Sequence, residues 1–240
     1  MTFSRRRVSA IFRKELREYR RKRSLIIAAA IFPVIFLIQP LALVFLVPGD
    51  TALRLSNEHL LLYMLAIPIL TSPQLSASSV AGEREQGTLE PVLTTPIPRE
   101  EFLLAKALAA LLPTVAVAYV VFAVFVGCVL AFAQPGVAGA ILRVPDMVAQ
   151  VLFTPLLAAC SIWIGIAVST RFSDFRVAQQ ISLLCCVPLV AITSLVAFDV
   201  IQVTPGLAIA GGAALLAADV LAWRLVSPMF NRERLVAGRG

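Results

Sequence analysis

The sequence predicts an all-α fold, an integral membrane bundle of six transmembrane helices preceded by an amphipathic helix, and three observations carry that expectation. Hydrophobic residues make up 59% of the 240-residue chain and the mean hydropathy is +0.89, which leaves too little polar surface to coat a soluble globule. Six uncharged runs, 25–47, 59–82, 107–133, 147–170, 177–198 and 200–218, each lie near the ~20 residues that a helix needs to cross ~30 Å of hydrocarbon. Nineteen of the 21 Lys and Arg residues fall on one side of the resulting topology, and only Arg54 and Arg143 on the other. That bias puts both termini in the cytoplasm.

Taken in order, the first element is the basic leader 1–24. It carries Phe3, Val8, Ile11, Phe12, Leu16 and Tyr19 at roughly helical spacing among ten Lys and Arg residues. This pattern describes a helix lying on the cytoplasmic interface with its basic heads reaching lipid phosphate, and nucleic acid is not needed to explain the charge. The first apolar run is longer than a signal-peptide core and is expected to be retained. Pro33, Pro40, Pro68, Pro73, Pro113, Pro155 and Pro188 interrupt the runs, so some spans should kink, with neighbouring helices and Ser or Thr side chains satisfying the freed carbonyls. The outer loops 48–58 and 134–146 are too short for a folded domain. The organisation is therefore a leader (1–24), a membrane domain (25–224) containing a polar strip at 83–101, and a C-terminal tail (225–240).

The chain offers little catalytic chemistry. Cys128, Cys160, Cys185 and Cys186 all fall inside predicted spans and form neither a disulfide framework nor a zinc pattern; adjacent cysteines on a helix point to different faces. His59 stands at the outer mouth of the second run, beside Glu58, without partners for metal or nucleophile chemistry. No GxxxxGK[ST], HExxH or GxSxG motif is present. Only Lys106 and Asp219 approach the hydrocarbon, both near its cytoplasmic edge, which argues against a carrier driven by its own charge relay. Among polar span residues, Thr71, Ser72, Gln74, Ser76, Ser78 and Ser79 crowd the second run, and Gln179, Gln180 and Ser182 begin the fifth. They could line a translocation path or bond between helices, each at ~0.6 to 2 kcal/mol. The small-residue stretch "GLAIAGGAALLAAD" in the sixth run reads as close helix packing.

The strip "AGEREQGTLEPVLTTPIPREE", Ala81 to Glu101, is the most polar part of the chain between two apolar runs. Gly82 and Gly87 can end the second helix, Thr88 can cap a new one, and Leu89, Val92 and Leu93 then share one face before Pro96 and Pro98 close it. Glu100 and Glu101 suit the first turn of the next helix. A short helix with an exposed apolar face fits docking to a partner better than mere connection.

These residues resemble a known family. Glu83-Arg84-Glu85-Gln86-Gly87-Thr88-Leu89-Glu90, followed by "VLTTPIPREEFLLAKALAALL", is similar to the hallmark of permease subunits of type-2 ATP-binding-cassette exporters. The leader resembles that family's connecting helix, and "MFNRERL" its cytoplasmic tail. The resemblance implies an exporter subunit in a prokaryotic inner membrane, paired with an identical or sister permease and with two separate ATPase subunits. It makes Glu83, Arg84, Glu85, Gly87, Thr88, Leu89, Glu90, Val92, Leu93 and Pro96 the ATPase-coupling element. ATP and magnesium then belong to the ATPase, and this chain binds no cofactor or metal. One departure stands out: only "FDVIQVTP" separates the fifth and sixth runs, where relatives often place extra outer helices. A channel or secondary carrier, and a membrane anchor without a transport path, are the alternative functions.

Overall fold

The structure is a computed structural model that describes residues 4–21, 23–46, 59, 61–85, 87, 98–133, 135–202 and 204–229. Every regular element among these residues is helical: α1 (Arg5–Arg21), α2 (Arg23–Leu46), α3 (Ala66–Ser76), α4 (Ala81–Glu85), α5 (Arg99–Phe132), α6 (Pro135–Ile141), α7 (Val144–Arg171), α8 (Phe175–Ala197) and α9 (Pro205–Met229). Two 3-10 turns, Leu62–Leu65 and Ala77–Ser79, flank α3. Among the described residues, four helices are long and apolar enough to cross a membrane, namely α5, α7, α8 and α9.

The second apolar run is not the continuous helix that its composition predicts. It is broken into the two 3-10 turns, α3 and α4, and the break has a local cause. Ser78 Oγ donates to the Leu75 carbonyl at 2.6 Å, and the Tyr19 hydroxyl of α1 reaches the same oxygen at 3.3 Å. Side-chain donors thus engage a carbonyl that a regular helix would reserve for its own backbone.

This polar segment forms the centre of the bundle. Every α3 residue except Leu70 is buried, with α7, α2, α8 and α5 packed around it. Burial of hydroxyls is tolerable here because they bond within the helix: Ser72 Oγ donates to the Pro68 carbonyl at 2.6 Å and Ser76 Oγ to the Ser72 carbonyl at 2.9 Å. Small side chains also let α7 approach closely. A Cβ on Gly165 would overlap Ser76 Oγ and come within 3.1 Å of Ser76 Cβ, so the α3–α7 contact requires glycine there.

Proline is accommodated between helices as well as within them. Pro155 has no N–H to offer the Val151 carbonyl, and the Tyr119 hydroxyl of α5 donates to that oxygen at 2.8 Å. At the end of the molecule away from α1, Leu61, Met64, Phe125 and Ile141 close one apolar cluster, and His59 N–H holds the Ala197 carbonyl at 2.9 Å. α9 sits at the periphery on α7, where Trp223 meets Trp163 edge-on at 5.3 Å. Exposed Leu184, Ile192, Ile209 and Leu225 give α8 and α9 apolar outer faces of the kind that hydrocarbon covers.

Helix boundaries correct two predicted runs. The last helix occupies Pro205–Met229 instead of 200–218, because Thr204 Oγ1 accepts the Leu207 N–H at 3.2 Å ahead of a proline in the first position. α8 likewise starts before 177, where Asp174 caps it by accepting from Arg176 and Val177 N–H at 2.7 and 3.2 Å.

Candidate functional site

At 34 residues α5 is about 51 Å long, well beyond the ~30 Å hydrocarbon thickness, and its first turn, with Glu100 and Glu101, is the charged end suited to extend past an apolar layer. α1 packs against that end. Its Tyr19 is buried with Phe102, Leu103 and Ala107 of α5, and Ile11 and Phe12 pack on the same cluster. The apolar stripe that sequence reasoning assigned to a lipid surface is thus used partly against protein.

The same interface contains a set of charges that is buried except for its outer member, Lys14. Lys106 has a fully buried side chain, and its Nζ lies 3.1 Å from Glu15 Oε1 and 3.1 Å from Glu83 Oε1. Lys14 Nζ closes the arrangement at 2.9 Å from Glu83 Oε1 and 3.6 Å from Glu15 Oε1. Two cations thus face two anions, and the shared charge compensates for the lost hydration. Lys106 Nζ also lies 4.9 Å from the Phe102 ring centroid. One turn earlier on α5, Glu101 holds Arg7 Nε at 2.9 Å and accepts the Ser4 N–H at 2.8 Å. Glu101 therefore does more than complement a helix dipole: it fastens the beginning of α1.

The field of this cluster shifts two neighbours. Burial opposes the charge of Lys14, but Glu83, with help from Glu15 and Glu18, more than offsets it and raises the ammonium above its ordinary 10.5. Burial pushes the Tyr19 hydroxyl well above its ordinary 10.0, and the nearby carboxylates push the same way.

The polar strip leaves this cluster directly. Glu83 points inward to the two lysines, Arg84 is half-buried and Glu85 is exposed. α4 ends at Glu85, and Gly87 then adopts a positive φ of 66° while its N–H bonds the Arg84 carbonyl at 3.1 Å. Gly82, expected as a possible terminator, lies inside α4. Thr88, Leu89, Glu90, Val92, Leu93 and Pro96 lie outside the described residues.

Residues 9–231 match the sequence profile of the family described as "ABC-2 family transporter protein". The chain belongs to the ABC-2 transporter family. It is a permease-type, multi-pass transmembrane transporter subunit, of a family whose ATPase normally resides in a separate chain. A comparison with curated proteins finds no match.

The permease's proposed path residues occupy diverse positions. Thr71, Ser72, Gln74, Ser76 and Ser78 are buried within the subunit, as is Ser182, which bonds the Ala178 carbonyl at 2.6 Å; Gln179 is half-buried and Gln180 exposed. The Ser79 side chain is outside the described set. Ser72, Ser76 and Ser182 are bonded to their own helices and Ser78 to Leu75 of the preceding α3, whereas Thr71 Oγ1 and Gln74 Oε1 have no hydrogen-bond partner among the described residues. Thr114 Oγ1 on α5 and Gln150 Oε1 on α7 share that condition, and neither was singled out from sequence.

Sequence reasoning also missed a contact at the far end. His59 Nδ1 lies 2.8 Å from Asp146 Oδ1, so the lone histidine ties the start of the polar segment to the first turn of α7. A carboxylate 87 positions away gives no local signal. Conversely, Asp219 is not paired with Arg224, and its Oδ1 has no hydrogen-bond partner among the described residues. The cysteines follow the face argument: Cys185 is exposed and Cys186 buried.

Proposed function

We propose that this chain is the membrane half of an ATP-driven exporter, working as a homodimer or with a sister permease and powered by two separate ATPase subunits. In this reading α2 and the segmented run from Leu62 to Glu85 cross the membrane with the four long helices, which gives six spans. Both termini and the strip face the cytoplasm of a prokaryotic cell, and α1 lies along the inner surface. ATP and magnesium would be held by the ATPase.

The observation that carries the reading is that three polar positions of the family hallmark, Glu83, Glu101 and Lys106, converge on α1. They make one rigid base from α1, α4 and the start of α5, and the strip leaves and returns through that base. A push on Thr88 to Ile97 would therefore reach the second and third spans together. Outward-facing Glu85 and the apolar Leu89, Val92 and Leu93 then serve as the docking face, while Glu83 anchors it from within. Thr71 and Gln74, with Gln179 and Gln180, remain the path candidates of this reading.

The test is copurification with the ATPase encoded beside this chain, comparing wild type with Leu89→Arg. A stable assembly of two permeases and two ATPases, lost in the variant while the permease stays folded, is the expected result. Normal binding and transport by Leu89→Arg would remove the strip from the coupling role. ATP-independent flux in proteoliposomes would favour a channel or carrier instead.

A further inference from the structure

An apolar groove of about 730 Å³ runs between α1 and α5 and reaches Pro155 of α7. One wall is Val8 and Phe12 of α1; the other is the α5 face that includes Leu108, Leu112 and Tyr119. Arg5 stands at its α1 end, exposed and without a carboxylate partner among the described residues, whereas nearby Arg7 is taken by Glu101. The groove extends along α5 from Leu104 to Tyr119, about 22 Å of helix. That exceeds the ~15 Å depth of one hydrocarbon leaflet, half of the ~30 Å layer, so the groove is long enough to hold an acyl chain along its length.

We propose that this groove is a binding site for an anionic phospholipid of the inner leaflet, with an acyl chain between α1 and α5 and the phosphate at Arg5. The assignment rests on the inner-surface placement of α1 proposed above. Three features separate it from ordinary lipid contact on α8 or α9. Two elements wall it instead of one, its rim is cationic while its length is apolar, and the Tyr119 hydroxyl is occupied by the Val151 carbonyl, which leaves the ring to present its apolar surface. A soluble anion would use the rim but leave the groove unfilled, and a neutral lipid would fill the groove but leave Arg5 without a counter-charge. A phospholipid with a net negative headgroup satisfies both. Its function would be to wedge α1 against α5 beside the buried lysine cluster, making the grip of α1 dependent on lipid composition.

The test uses the full-length permease in detergent, titrated with phosphatidylglycerol or phosphatidylcholine and read by native mass spectrometry. Wild type should retain phosphatidylglycerol in preference to phosphatidylcholine. Arg5→Gln should weaken that binding about fivefold, as expected for one basic residue near an anionic surface, while leaving the fold intact. Ala116→Trp, which fills the groove, should abolish the preferential adduct, and Arg21→Gln, exposed and outside the groove, should leave it unchanged. Equal retention of both lipids by wild type, or unchanged phosphatidylglycerol binding in Ala116→Trp, would overturn the proposal. Loss of the permease dimer in Ala116→Trp without loss of lipid would assign the groove to a second copy of this chain. These readouts involve no ATPase, so their failure leaves the coupling reading to its own experiment.

Discussion

Lys106 is held between two carboxylates at 3.1 Å from each, in a place where water cannot replace it. Lys106→Met should leave Glu15 and Glu83 facing each other with only Lys14 nearby, and lower stability by about 3 to 5 kcal/mol, the usual cost of breaking a buried ion pair. Thermal unfolding in detergent measures this, and an unchanged transition would mean that the cluster contributes nothing to the fold. The same cluster sets a pH dependence. Lys14 and Tyr19 both titrate above their ordinary 10.5 and 10.0 in the folded chain, so their contributions are fully present below those values. Above them the unfolded chain releases protons first, and stability should fall as pH rises towards the raised folded values. A denaturation series from about pH 9 to about pH 11.5 should show that decline, and Lys14→Gln should make it shallower. Such a residue-level network was invisible to sequence periodicity. Glu15 sits on a basic leader and Glu83 in a motif 68 positions later, and nothing local announces that both share one lysine.

Helix contacts make a different demand, on shape. Gly165 of α7 meets Ser76 of α3 so closely that Gly165→Ala should force the two helices apart, at about 1 to 3 kcal/mol for overpacking. Adding Ser76→Ala should recover part of that loss by removing the hydroxyl, and an additive double variant would show that the two residues do not share the space. Element types were largely legible because long uncharged runs have few alternatives to helix. Their limits were less so. Counting uncharged residues stopped the last run at Ala218, although Asp219 does not interrupt α9, and it began the run at Val200 although Thr204-Pro205 already carried a start signal. The broken second run also escaped, because its 3-10 turns depend on Ser78 and on a tyrosine from α1 competing for one carbonyl.

At the scale of the whole molecule, the proposed orientation rests on the distribution of basic residues, and single cysteines can test it. In a variant without the four native cysteines, Glu100→Cys should react with an impermeant thiol reagent only in inverted vesicles, and Gly139→Cys only in intact cells. The reverse pattern would invert the proposed topology. Membrane class was legible across the whole chain because composition is a global property, and the family hallmark was legible as one local motif beginning at Glu83. The candidate site was legible only as a strip, since its internal half depends on α1 returning to α5. That return also has a consequence for biosynthesis. Glu15 and Lys106 are 91 positions apart, so at ~5 to 20 residues per second the ribosome delivers the lysine roughly 5 to 18 s after the glutamate. Throughout that interval α1 is a finished helix without its partner. In the proposed topology it must wait on the membrane surface until α5, on emerging, collects an element made long before it.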